Sequence, residues 1–170
     1  MTFSKNHDFG GGADAEADVP QLVQYREFLP AVVSDFELFV LSGKPDTATA
    51  FRKFATTKAG MWGEFVAKWV DTDFSGERLV IHYEDLTRDP VTWLGRAVTF
   101  SGGSVDRHVL EEVVRSEQAQ AVTSAGEVWT ANAGVVNTRR VQDFRFYDPA
   151  VFELVQAHAD AARRAAASTG

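Results

Sequence analysis

A mostly helical α/β domain is the fold class this sequence predicts, and three observations predict it. Apolar residues recur at three- and four-residue steps through most of the chain, and two Asp-Pro pairs, Asp89-Pro90 and Asp148-Pro149, mark helix starts. One run, Leu79-Val80-Ile81-His82-Tyr83, is short, β-branched and apolar on both alternating faces, which suits a strand buried on both sides in a parallel sheet. At 170 residues, with 45% hydrophobic and 24% charged side chains, the chain fits one domain with a single core.

Residues 1–18 are rich in Gly, Ala and Asp, lack periodicity, and read as a flexible arm ahead of a domain over 19–170. From about Val19 the pattern is read as helical, with Leu29, Val32, Val33, Phe36, Phe39 and Val40 on one face and Gly43 as the stop. Pro30 is expected to kink or split this helix. A second helix is expected from Pro45-Asp46, carrying Phe51, Phe54, Met61, Trp62, Phe65, Val66 and Trp69 inward. Gly60 and Gly63 each lower helix propensity there by about 1 kcal/mol, so a bend or a close packing is expected at them.

After a turn through Asp73, Ser75 and Gly76 comes the strand Leu79–Tyr83. Asp89 caps a helix with Pro90 in its first position, running through Trp93, Leu94, Ala97, Val98 and Phe100 to Gly102-Gly103. The next helix turns Val105, Val109, Leu110, Val113 and Val114 inward and ends before Gly126. Glu127 to Tyr147 has no clear period and contains three arginines, and Asp148-Pro149 opens the terminal helix. The tally is about six helices and one strand. A lone buried strand cannot satisfy its own edges, so its partners must come from elsewhere in the fold.

Several function classes are excluded by composition. A net charge of -7 opposes nucleic-acid binding, since phosphate backbones are bound by surplus Lys and Arg. Without cysteine there are no disulfides, Cys-zinc sites or Cys nucleophiles, and a reducing, cytoplasmic setting is the simplest expectation. No run reaches the ~20 apolar residues of a membrane span, and MTFSKNHDFGGG lacks the apolar core of a secretory signal. The four histidines show no metal spacing. Glu84 and Asp85, adjacent at a strand end, point in different directions, so capping rather than acid-base work is expected of them.

The segment MWGEFVAKWVDTDFSGERLVIHYEDLTRDPVTWLGRAVTFSGG resembles the part of sulfotransferases where a Trp-containing helix leads into a strand ending Tyr-Glu-Asp-Leu, here Tyr83 to Leu86. A helix from Asp89-Pro90, the Phe100-Ser101-Gly102 turn and a helix through Arg115-Ser116 follow in the family's order. The resemblance implies a P-loop-like α/β fold and the donor 3'-phosphoadenosine 5'-phosphosulfate, whose sulfuryl group passes to a hydroxyl or amine. It also implies that Tyr83 helps hold the adenine, that Ser116 lies near the nucleotide, and that Arg139 and Arg140 in NTRRVQDFRFYDP meet its 3'-phosphate, with Asp143-Phe144 in place of Asp-Trp. The family's adenine-packing aromatic is Gln118 here.

Its phosphosulfate loop, catalytic histidine and second phosphate-contact segment are expected to precede this region, and no counterpart is read for them; Ser42-Gly43-Lys44-Pro45 lacks the loop's earlier glycine. No catalytic residue is therefore assigned. The expectation is the mostly helical C-terminal part of a sulfotransferase domain, truncated, split or degenerate, partnered by a missing N-terminal half or by itself. A helical interaction module without catalysis and a complete enzyme of unrecognised chemistry are the alternatives.

Overall fold

The computed structural model describes residues 20–73, 76–124 and 140–168, and within 118–124 the backbone alone. The chain enters as a strand, β1 (Gln21–Tyr25), and continues into α1 (Phe28–Leu41) and α2 (Ala48–Val66), which widens into a π-helical turn at Ala67–Asp71. Strand β2 (Arg78–His82) follows, then α3 (Tyr83–Arg88), α4 (Pro90–Phe100) and α5 (Arg107–Ser124). A 3-10 turn at Val141–Asp143 precedes α6 (Pro149–Ala167). None of the described helices is long and apolar enough to cross a membrane.

The strand deficit is half resolved within the chain itself. β1 and β2 pair in parallel, with Val23 opposite Val80 and Tyr25 opposite His82. Residues read as the start of a helix are thus a strand. Leu22, Val23 and Tyr25 offer β-compatible side chains, but the run is too short to establish period 2 against the stronger helical period that begins at Phe28. Val23 and Ile81 are buried, on opposite faces of the pair.

Helix α1 begins at Phe28, so Pro30 lies in its first turn, where its missing N–H has no intrahelical partner to lose and no kink results. Gly43 follows the helix in the left-handed conformation, φ 84°, as the expected stop. Thr47, rather than Pro45-Asp46, caps α2, its hydroxyl accepting from the Ala50 N–H at 3.1 Å. Asp89 and Asp148 cap α4 and α6 with a proline next to each, as expected.

The core is a layer of helices. Phe28, Val32 and Phe36 of α1, Phe51, Ala55 and Ala59 of α2, and Phe152, Val155 and Ala159 of α6 form it with Phe144. Phe36 is its hub, meeting the Phe51 ring edge-on at 5.2 Å and the Phe144 ring at 6.1 Å. The buried stripe of α2 runs through small residues, Ala55, Ala59 and Gly63, because α6 approaches closely there. A Cβ on Gly63 would lie 2.6 Å from the Ala159 carbonyl and 2.7 Å from the Ala162 Cβ. Gly60 has no such neighbour within 4 Å.

Helices α4 and α5 pack on each other at the margin of this layer. Val105, Val109 and Val113, expected inward, are 41%, 53% and 49% exposed. Leu110 and Val114 are more buried than they are. Val109, Leu110, Val113 and Val114 make a wider apolar face on α5 than a single neighbour covers.

The two helix glycines predict opposite outcomes in urea denaturation. Gly63→Ala drives a methyl into backbone and is expected to destabilise by about 1–3 kcal/mol. Gly60→Ala adds only helix propensity and is expected to stabilise by up to about 1 kcal/mol.

Candidate functional site at the carboxyl ends of the strands

Because β1 and β2 are parallel, the residues that follow them arrive at one place: Arg26 and Glu27 after β1, Tyr83 and Glu84 after β2. In open α/β sheets this is where ligands bind. Arg26 is the centre of the group. Its Nη1 donates to the Ser34 Oγ of α1 at 3.0 Å, and its guanidinium carbon lies 4.5 Å from the centroid of the Tyr83 ring. The Arg26 carbonyl accepts from the Trp62 indole N–H at 2.9 Å.

On the inner side, Arg26 Nε stands 3.5 Å from Glu84 Oε1, an ion pair too long and ill-aligned for a hydrogen bond. Arg26 Nε and Glu84 Oε2 are both buried without a hydrogen-bond partner. His82 Nε2 lies 3.3 Å from that same Glu84 Oε2, close enough for charge interaction but without hydrogen-bond geometry, and 3.1 Å from Glu27 Oε1. The Tyr25 ring sits 4.7 Å from the His82 ring. Burial, and then the Glu27 charge, push the Tyr25 phenol above its ordinary value of 10.0, against the opposing pull of Arg163, which is held by Asp71 through two bonds of 2.6 Å.

A guanidinium and a hydroxyl both offer hydrogen-bond donors, and the fork of a guanidinium matches the oxygens of a phosphate. Glu84 offsets the charge of Arg26 at Nε, while Nη1 is bonded to Ser34. No group of three or more His, Asp and Glu among the described residues is arranged to hold a metal ion.

The residues singled out from sequence are distributed unevenly about this centre. Tyr83 lies within it, as the first residue of α3 and not the last of β2, because the chain turns helical directly after His82. Ser116 is exposed on α5. Arg140 is exposed, its guanidinium bonded to Asp143 at 3.1 and 3.2 Å. Among the described residues no contact joins either of them to Tyr83. Arg139 lies outside the described residues. Phe144 is buried in the core, 4.7 Å from the Phe51 ring. Arg26 and Ser34 escaped the sequence reading; the signal was a short apolar run ending in Arg immediately before a helical period.

A concavity of about 550 Å³ lies between β2, α4 and α5, lined by Leu79, Gly95, Phe100, Val105 and Leu110 with Arg96 and Arg107 among its polar groups. Arg107 is paired with Glu111 at 2.8 Å. This groove contains none of the residues around Arg26.

Residues 22–141, well over half of the chain, match the model of the sulfotransferase domain family. The chain belongs to the sulfotransferase family. Among curated proteins and solved structures, none matches it. The sulfotransferase match begins inside β1 and ends in the 3-10 turn, so it contains Arg26, Ser34, Tyr83, Ser116, Arg139 and Arg140, while α6 lies beyond it.

The raised Tyr25 pKa has a defined sign. The fold favours the neutral phenol, so stability is unaffected below the ordinary value of 10.0 and falls as pH rises from there through the folded pKa. The difference in ultraviolet titration between the unaltered chain and Tyr25→Phe is expected to have its midpoint above 10.0. A midpoint at or below that value contradicts it.

Proposed function

We propose that this sulfotransferase-family chain binds the nucleotide 3'-phosphoadenosine 5'-phosphosulfate by a phosphate at Arg26 and Ser34, beside Tyr83. The observation that carries the reading is the Arg26–Ser34 bond of 3.0 Å at the carboxyl ends of two parallel strands. In this reading the Arg26–Ser34 pair provides the second phosphate contact that the sequence alone left without a counterpart.

Tyr83 suits the adenine-side role that family resemblance gives it, because its ring already lies against the guanidinium at 4.5 Å. Ser116, Arg139 and Arg140 enter the proposal on resemblance alone, as nucleotide contacts from α5 and the segment after it. The parallel strands and helical crossover support a P-loop-like sulfotransferase fold, and the absence of cysteine supports a cytoplasmic setting. The bound donor would carry the sulfuryl group to a hydroxyl or amine. This chain's residues would hold and orient its phosphate, and no base or phosphosulfate loop is assigned among them.

An interaction module is the second reading, favoured by the exposed Val109 and Val113 on α5 and Val105 just before it. Calorimetric titration with adenosine 3',5'-bisphosphate separates the two. Saturable binding is expected, weakened at least about tenfold by Arg26→Ala, since a charge-assisted hydrogen bond contributes about 1.5–3 kcal/mol. The pair Arg139→Ala and Arg140→Ala is expected to weaken it further. A folded chain that binds no nucleotide sinks the donor-site reading and favours the second.

A further inference from the structure

Arg26 follows the last residue of β1, where the strand ladder ends and α1 has not begun. At such a point the direction of the side chain depends on what fixes the peptide on either side of it. The carbonyl of Arg26 is not held by the neighbouring strand. It accepts from the indole N–H of Trp62, 36 residues away on α2, at 2.9 Å.

The same indole also meets the far end of the turn. Its ring lies 5.7 Å from the ring of Phe28, the buried first residue of α1. Trp62 therefore touches the strand-to-helix connection at both ends, by a hydrogen bond at Arg26 and by packing at Phe28. Its own backbone is constrained in turn, because the next residue is Gly63, where α2 lies against α6.

We propose that Trp62 is a positioning residue for Arg26: its N–H fixes the Arg26 peptide so that the guanidinium meets Ser34 and presents its outer edge to a phosphate. The inference rests on the reading that Arg26 holds phosphate, and it adds the residue that makes the seat rigid before the ligand arrives. Without the indole N–H, a partly buried carbonyl loses its partner and the peptide is free to turn. A small rotation there swings the long Arg26 side chain away from Ser34, and binding sites lose affinity when their contacts are loosened on this scale.

The test is Trp62→Phe, which keeps a ring against Phe28 and removes the donor. Affinity for adenosine 3',5'-bisphosphate is expected to fall about fivefold, the effect of one net hydrogen bond. In an Arg26→Ala background, measured at millimolar ligand, the same change is expected to cost less than about twofold, because the residue being positioned is gone. An unchanged affinity, or a loss of equal size in both backgrounds, overturns the inference. Should Trp62→Phe fail to fold, the unaltered chain decides. Exchange of the Trp62 indole proton, followed by NMR, is expected to slow on saturation with the nucleotide, and an unchanged rate overturns the inference. Absence of nucleotide binding by the unaltered chain overturns the underlying reading as well, whereas binding that depends on Arg26 but not on Trp62 overturns the inference alone.

Discussion

The close approach of α2 and α6 at Gly63 is the constraint on which the rest of the structure depends. A helix can come within van der Waals contact of another backbone only where no Cβ intervenes, and at Gly63 the Ala159 carbonyl and Arg163 N–H occupy that space. The rotation of α2 about its own axis is thereby set. With Gly63 turned to α6, Trp62 is directed to the end of β1, and Ala59, Ala55 and Phe51 line up under α6. Core packing and the geometry of the Arg26 site are consequences of one helix orientation.

Below this contact the core is aromatic, and its charged border is organised by Arg145. The guanidinium bonds Glu37 at 2.5 Å and Asp46 at 2.5 and 2.8 Å, and it lies 4.9 Å from the Phe146 ring. Isolated surface ion pairs contribute little, but Arg145 is partly buried, meets two carboxylates and rests against aromatic rings. Its effect is topological as much as energetic. It ties residues 140–147 to the end of α1 and to the turn before α2, and so seats Phe144 in the core beside Phe36 and Phe51.

Electrostatics give the site at the strand ends its character. The chain carries a net charge of -7, so an anion is attracted by local geometry and not by the field of the whole molecule. Glu84 pairs with the Arg26 guanidinium, and His82 lies between Glu27 and Glu84. Ser34 adds a neutral hydroxyl at Nη1. In the proposed reading the charge of the ligand meets the Nη edge and its remaining groups lie along the Tyr83 ring.

The sequence by itself determined the end of α1 and the starts of α4 and α6, because these signals are local: Asp89 and Asp148 bond to N–H groups two or three residues away, and Gly43 supplies a positive φ. It also determined family membership, which rests on the order of motifs around Tyr83-Glu84-Asp85-Leu86 and agrees with the match over residues 22–141. Strand β1 was not legible, since five residues without a sustained alternation become a strand only when β2 lies beside them. Nor were Arg26 and Ser34, or the outward turn of Val105, Val109 and Val113, because pairing and coverage depend on which elements meet. Only the tertiary structure decided the site. Residues 26, 34, 62 and 84 are separated along the chain, and the parallel strand pair together with the α2–α6 contact is the physical reason they converge.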